Sequence, residues 1–143
     1  VEPHTTIGQD CDVFPYVTLG MQSQDLKYVP DTICYTEIGD RNIIREFVSV
    51  HGGTEEGSST TIGDDCALLA HSHVAHNCHV GNRVVMSHGA TLAGHVIIGR
   101  VGMGAVGAIA AVIIIVIIAG IRVNSVLIFF VFLIFLGFCL LLL

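Results

Sequence analysis

The chain has 143 residues, 52% of them hydrophobic and 13% charged, with a formal charge of −6. That length holds one domain and leaves little room for a second. Up to residue 99 the chain carries four Lys and Arg against all twelve Asp and Glu, which excludes the basic face that nucleic acid requires. Abundant aliphatic residues exclude disorder.

In chain order, the first elements follow a six-residue step. Ile7, Val13 and Leu19 obey it, then Ile38, Ile44 and Val50, then Ile62, Leu68, Val74, Val80, Met86, Leu92 and Ile98. A helix needs spacings of three and four, and a half-buried strand alternates by two. A period of six with short strands and small or polar corners is the hexapeptide pattern of a parallel β-helix. Residues 1–99 are therefore expected to be all-β, with one aliphatic per strand stacked inward from coil to coil. Each such side chain contributes roughly 1.5–3 kcal/mol of burial. Gly8, Gly39, Gly63, Gly81 and Gly99 each follow a repeat aliphatic and are expected to make tight corners.

Two polar segments interrupt the step, residues 20–37 and 51–61, and are expected to leave the coil as loops able to carry binding residues. After Arg100 the composition changes abruptly. Residues 101–121 are uncharged and as a helix would span about 31 Å, one hydrocarbon thickness. Residues 126–143 are similarly apolar. Three readings stay open for 100–143: a transmembrane hairpin, a shifted reading frame, or a buried end-cap. Contact with a membrane is expected only if that tail is genuine.

The five cysteines, Cys11, Cys34, Cys66, Cys78 and Cys139, form no CxxC pair and are odd in number. They fit neither a zinc ribbon nor a disulfide scaffold, and point to a reduced, cytoplasmic setting. Residues 1–20 lack the basic start and apolar centre of a signal peptide. The chain opens at Val1 rather than Met and reads as N-terminally incomplete.

Histidine is the concentrated functional signal. His71, His73, His76 and His79 fall within nine residues, His88 and His95 follow, and His51 opens the second loop. If three hexapeptides make a coil, residues eighteen apart are stacked, so His76 and His95 share one edge. Two chemistries suit such a cluster. One is zinc binding by neutral imidazoles, with His71 and His76 as a conceivable pair that lacks a convincing third ligand. The other is acyl transfer, in which one His deprotonates a hydroxyl that attacks a thioester and a backbone N–H stabilises the oxyanion. Gly94, beside His95, suits the close approach of such an oxyanion hole.

The stretches QDLKY (24–28), IGDRNIIREFVSVHGGT (38–54), AHSHVAHNCHVGNR (70–83) and ATLAGHVIIG (90–99) resemble the UDP-N-acetylglucosamine O-acyltransferases, in order and over residues 7–99. That resemblance implies a left-handed β-helix and a homotrimer. It implies transfer of a 3-hydroxyacyl chain from acyl carrier protein to the sugar 3-hydroxyl, the first step of lipid A biosynthesis, with no cofactor and no metal. By motif, His76 matches the general base and Gly94 the oxyanion donor. Asp25, Lys27, His51, His73 and His95 match substrate-site residues. Asn77, in the orienting position, stands where the family usually has Asp, and Gly52 where it usually has Arg. The family's further coils and basic C-terminal domain are not recognisable after Gly99, so the 143-residue chain alone is expected to be inactive. The alternatives are a hexapeptide acyltransferase using a coenzyme A thioester, a zinc solenoid like the γ-carbonic anhydrases, and a scaffold with a dead site.

Overall fold

The computed structural model describes residues 1–99; every expectation for residues 100–143, membrane hairpin and end-cap included, lies outside them. Thirteen short strands wind into three parallel sheets. The first sheet stacks β1 (Thr5–Ile7), β4 (Tyr35–Ile38), β7 (Ser59–Ile62), β10 (His79–Val80) and β13 (Ile97–Ile98). The second stacks β2 (Asp12–Val13), β5 (Ile43–Ile44), β8 (Ala67–Leu68) and β11 (Val85–Met86). The third stacks β3 (Thr18–Met21), β6 (Ser49–His51), β9 (His73–Val74) and β12 (Thr91–Leu92). Each turn of chain visits the three sheets once, which is the expected parallel β-helix.

The register carries the period directly. Thr61 pairs with His79 and His79 with Ile97, so an uninterrupted coil is eighteen residues. Thr36 pairs with Thr60 and Thr5 with Thr36, so the two earlier coils are longer by six and thirteen residues. The extra chain leaves as two loops. They are shorter than the polar composition suggested, 22–34 and 52–58, because β3 runs on to pair Met21 with His51 and β4 begins early to pair Tyr35 with Ser59.

The repeat aliphatics stack inward as expected from Leu19 onward, with Ile44, Val50, Leu68, Val74, Met86 and Leu92 at most 1% exposed. Ile7 and Val13 at the first coil are 38% and 44% exposed, since no described coil covers them from below. The interior also holds a second residue per hexapeptide, two positions earlier and smaller: Thr36, Asn42, Val48, Thr60, Cys66, Ser72, Cys78, Val84, Ala90 and Val96. This explains Cys66 and Cys78. Cys66 donates its thiol to the Gly81 carbonyl at 3.2 Å and Cys78 to that of Ala93 at 3.0 Å, and all four described cysteines are free.

The corners correct the reading of the glycines. The left-handed residue of each corner is the third after the aliphatic, recurring as Asp65, His71, Asn77, Arg83, Gly89 and His95. The residue after the aliphatic has another reason to be glycine. A Cβ on Gly39 would lie 2.8 Å from the Gly63 backbone carbon, and one on Gly63 would lie 2.9 Å from that of Gly81. Glycine there lets successive coils touch.

Candidate active site

The corner after β9 places His76 and Asn77, and the corner after β12 places Gly94 and His95 one coil above. The His95 N–H donates to the His76 carbonyl at 3.0 Å, and the two rings meet edge-on with centroids 5.1 Å apart. The His76 ring lies over Gly94. A Cβ there would run into the ring atoms, with Nδ1 only 3.0 Å away. Glycine at 94 is thus what allows the imidazole, whose side chain is 13% exposed, to occupy this place.

The loop 22–34 brings a carboxylate to the same corner. Ser23 and Thr54 share a buried hydroxyl–hydroxyl hydrogen bond of 2.7 Å that ties the two loops together. The Asp25 N–H donates to Ser23 Oγ, and Asp25 Oδ1 accepts the Lys27 N–H at 2.9 Å, closing a local turn. The result sets Asp25 Oδ2 3.9 Å from His76 Nε2. The Lys27 N–H holds the Asp25 carboxyl below its usual range; partial burial opposes it, and charge at His76, Lys27 and His95 reinforces it.

Asn77 fixes which nitrogen of His76 carries the proton. Its Oδ1 accepts the Thr54 N–H at 3.1 Å, and its Nδ2 donates to the Glu55 carboxylate at 3.3 Å. Those two partners leave only one orientation of the amide. The same Oδ1 stands 3.1 Å from His76 Nδ1, so Nδ1 bears the hydrogen and Nε2 presents a lone pair beside Asp25. An oxygen about 2.8 Å from both Nε2 and Oδ2 fits in that gap.

Next to this corner the third sheet walls a cavity of about 560 Å3, lined by Thr18, Met21, Gln24, Ser49, His51 and His73 among others. His51 and His73 meet edge-on at 4.7 Å, and Ser49 Oγ lies 2.7 Å from His73 Nδ1. Burial, then the neighbouring His73 and His76, pushes His51 down to about 4. Burial also lowers His73, against a hydrogen bond at Ser49. Both rings are therefore neutral and usable as hydrogen-bond groups near pH 7.

The sequence-derived residues thus fall into two adjoining groups. Asp25, His76, Asn77, Gly94 and His95 form the corner, and His51 and His73 line the cavity. Lys27 is exposed, and it is the backbone N–H of Lys27 that holds Asp25. His71 belongs to another edge, stacked on Phe47 at 4.9 Å, so the conceivable His71–His76 metal pair does not form. Asp25, His76 and His95 do place one donor atom each within 4.8 Å of one another. A tetrahedral zinc with ligands at about 2.0–2.2 Å would draw such donors to about 3.4 Å apart. The 3.9 Å separation of Asp25 and His76 is wider than that. Sequence reasoning missed Ser23, Ser49, Thr54 and Glu55. The offset of thirty-one residues between Ser23 and Thr54, the same as between β1 and β4, is the signal that pairs the first and third.

Residues 59–94 match the bacterial transferase hexapeptide model (six repeats). The chain resembles UDP-N-acetylglucosamine acyltransferases. One solved UDP-N-acetylglucosamine acyltransferase is 40% identical over 75% of this chain and 43% of its own, with a TM-score of 0.65. That of Bacteroides fragilis 9343 is 35% identical over 65% of this chain and 36% of its own, with a TM-score of 0.61. That of Francisella novicida is 33% identical over 70% and 39%, also at 0.61. The chain spans less than half the length of each. With this likeness the coil takes the expected left hand, against the right-handed preference of most parallel crossovers.

Proposed function

We propose that this chain carries the catalytic corner of an O-acyltransferase that moves a 3-hydroxyacyl chain from acyl carrier protein to the 3-hydroxyl of UDP-N-acetylglucosamine, the first step of lipid A biosynthesis. The observation that carries it is His76, with Nδ1 engaged by Asn77 and Nε2 free 3.9 Å from Asp25. The site needs no cofactor for this reaction. By the same reading the working protein is a cytoplasmic homotrimer.

In this mechanism the sugar 3-hydroxyl donates its one hydrogen to Nε2, and Asp25 accepts from a neighbouring hydroxyl of the sugar. His76 takes its proton as the oxygen attacks the thioester carbonyl carbon. The negative charge that develops on the carbonyl oxygen is met by the Gly94 N–H, which has no backbone acceptor among the described residues. The intermediate collapses with loss of the carrier thiolate, which receives the proton from the imidazolium. Asn77 keeps the imidazole in the competent tautomer throughout, and His51, His73 and Lys27 are assigned to holding the substrate.

Full-length protein incubated with the sugar nucleotide and a 3-hydroxyacyl carrier thioester is expected to yield the ester, read by mass spectrometry. His76→Ala is expected to cut the rate by roughly 10²–10⁴-fold, the usual worth of a general base, with sugar-nucleotide binding retained. Transfer from the coenzyme A thioester but not the carrier would replace the donor assigned here. Lost binding with unchanged turnover of bound substrate would remove His76 from the role of base.

A further inference from the structure

We propose that Glu55 acts on His76 through the Asn77 amide, as a positioning residue that supplies the negative charge absent from position 77. The inference rests on the reading of His76 as the base.

Three groups are joined by two hydrogen bonds. His76 Nδ1–H donates to Asn77 Oδ1 at 3.1 Å, and Asn77 Nδ2–H donates to Glu55 Oε2 at 3.3 Å. An amide is a conjugated unit. A carboxylate pulling on its N–H makes its oxygen a stronger acceptor, so consecutive bonds reinforce one another. When His76 takes a proton, the charge on the ring is answered by Glu55 through the amide.

The backbone around Glu55 is pinned, so its side chain starts from a fixed place. The Glu55 N–H donates to Ser58 Oγ at 3.1 Å, and that hydroxyl donates back to the Glu55 carbonyl at 2.6 Å. The Ser58 N–H reaches the same carbonyl at 2.9 Å, and a Cβ on Gly53 would lie 2.6 Å from the Ser58 carbonyl oxygen. The next residue, Glu56, faces elsewhere and accepts the Ile33 N–H at 3.0 Å. Two adjacent glutamates therefore divide their work: Glu56 braces the other loop and Glu55 serves Asn77. The geometry also changes what Asn77→Asp is expected to do. A carboxylate at 77 would face Glu55 across the 3.3 Å now bridged by an N–H. The gain of a charge beside His76 is then offset by repulsion.

The other groups facing His76 are Asp25 beside Nε2, His95 edge-on above it, His51 from β6, and Lys27 beside Asp25. None of them touches the Nδ1 side. The exposed position of Glu55 weakens its charge by solvent screening, so the expected effect is modest.

The test is NMR of nitrogen-15-labelled histidine in the full-length protein, with Glu56→Gln as the control of equal charge change. In wild type His76 should show hydrogen on Nδ1. Glu55→Gln should weaken the Nδ1–H···Oδ1 hydrogen bond, read as an upfield move of the His76 Nδ1 proton and its faster exchange with solvent, and Glu56→Gln should do neither. In turnover assays Glu55→Gln should reduce kcat about 3–10-fold with KM unchanged. Asn77→Asp should restore the rate in the Glu55→Gln background, where the new amide can donate to the new carboxylate. Equal shifts from Glu55→Gln and Glu56→Gln, or hydrogen on Nε2 in wild type, would overturn the proposal. The NMR readout needs no turnover, so its result stands apart from whether the protein transfers acyl groups.

Discussion

His95 lies one coil above His76, its N–H bonded to the His76 carbonyl at 3.0 Å and its ring edge-on to the other at 5.1 Å. The residue before His95 is Gly94, over which the His76 ring rests. Gly94 is outside the left-handed region, so alanine can adopt its backbone and the substitution tests space alone. Gly94→Ala should swing the imidazole away from Asp25 and cut acyl transfer roughly 10–100-fold, since small displacements of a catalytic group are costly. Far-UV circular dichroism should show the β-helix intact. A wild-type rate in a folded Gly94→Ala protein would mean that the ring position seen here is not the working one.

Val80 gives the matching test of the scaffold. It is 3% exposed and stacked between Ile62 and Ile98 in the first sheet. Val80→Asp would bury a carboxylate with no partner, at a cost comparable to the whole stability of a domain. The variant should lose its β signal and its soluble yield, whereas Val80→Ile should keep both. A soluble, folded Val80→Asp protein would show that the inward column is not what holds the coils.

The coil was legible because its signal is repeated. Seven consecutive large aliphatics from Ile62 to Ile98 fix the period, and the eighteen-residue coil then puts His76 under His95 without further information. Half of the interior was not legible. The second inward position takes Thr, Asn, Cys, Ser, Ala or Val, small residues that no hydropathy pattern separates from the surface. The glycines pointed to the right places for another reason, coil contact rather than a left-handed backbone. Asp25 was assigned by resemblance alone. Its distance to His76 depends on how residues 22–34 fold back, and that is set by single hydrogen bonds such as Ser23 to Thr54. Glu55 was invisible because its partner, Asn77, is twenty-two residues away on a different coil, across the irregular part of the repeat.

Buried His51 and half-buried His73 make stability depend on pH in a window of their own. His51 is 6% exposed, and its pKa in the folded protein is pushed down to about 4 from an ordinary 6.5. The unfolded chain therefore binds a proton that the folded chain refuses between those two values. Stability is full above about pH 6.5, falls as the pH is lowered, and has lost the whole contribution once the pH passes below the folded value near 4. Integrated over that window, His51 alone accounts for about 3 kcal/mol. His73 is lowered in the same direction and steepens the slope. Asp25 is also lowered, but from 3.8, so its contribution is lost below the window rather than within it. Urea unfolding followed at several pH values across this range should show the decline in wild type and a clearly shallower one in His51→Gln, whose side chain takes no proton. Parallel slopes in the two proteins would mean that His51 is hydrated or paired in solution, and that the neutral imidazole assigned to the cavity is wrong.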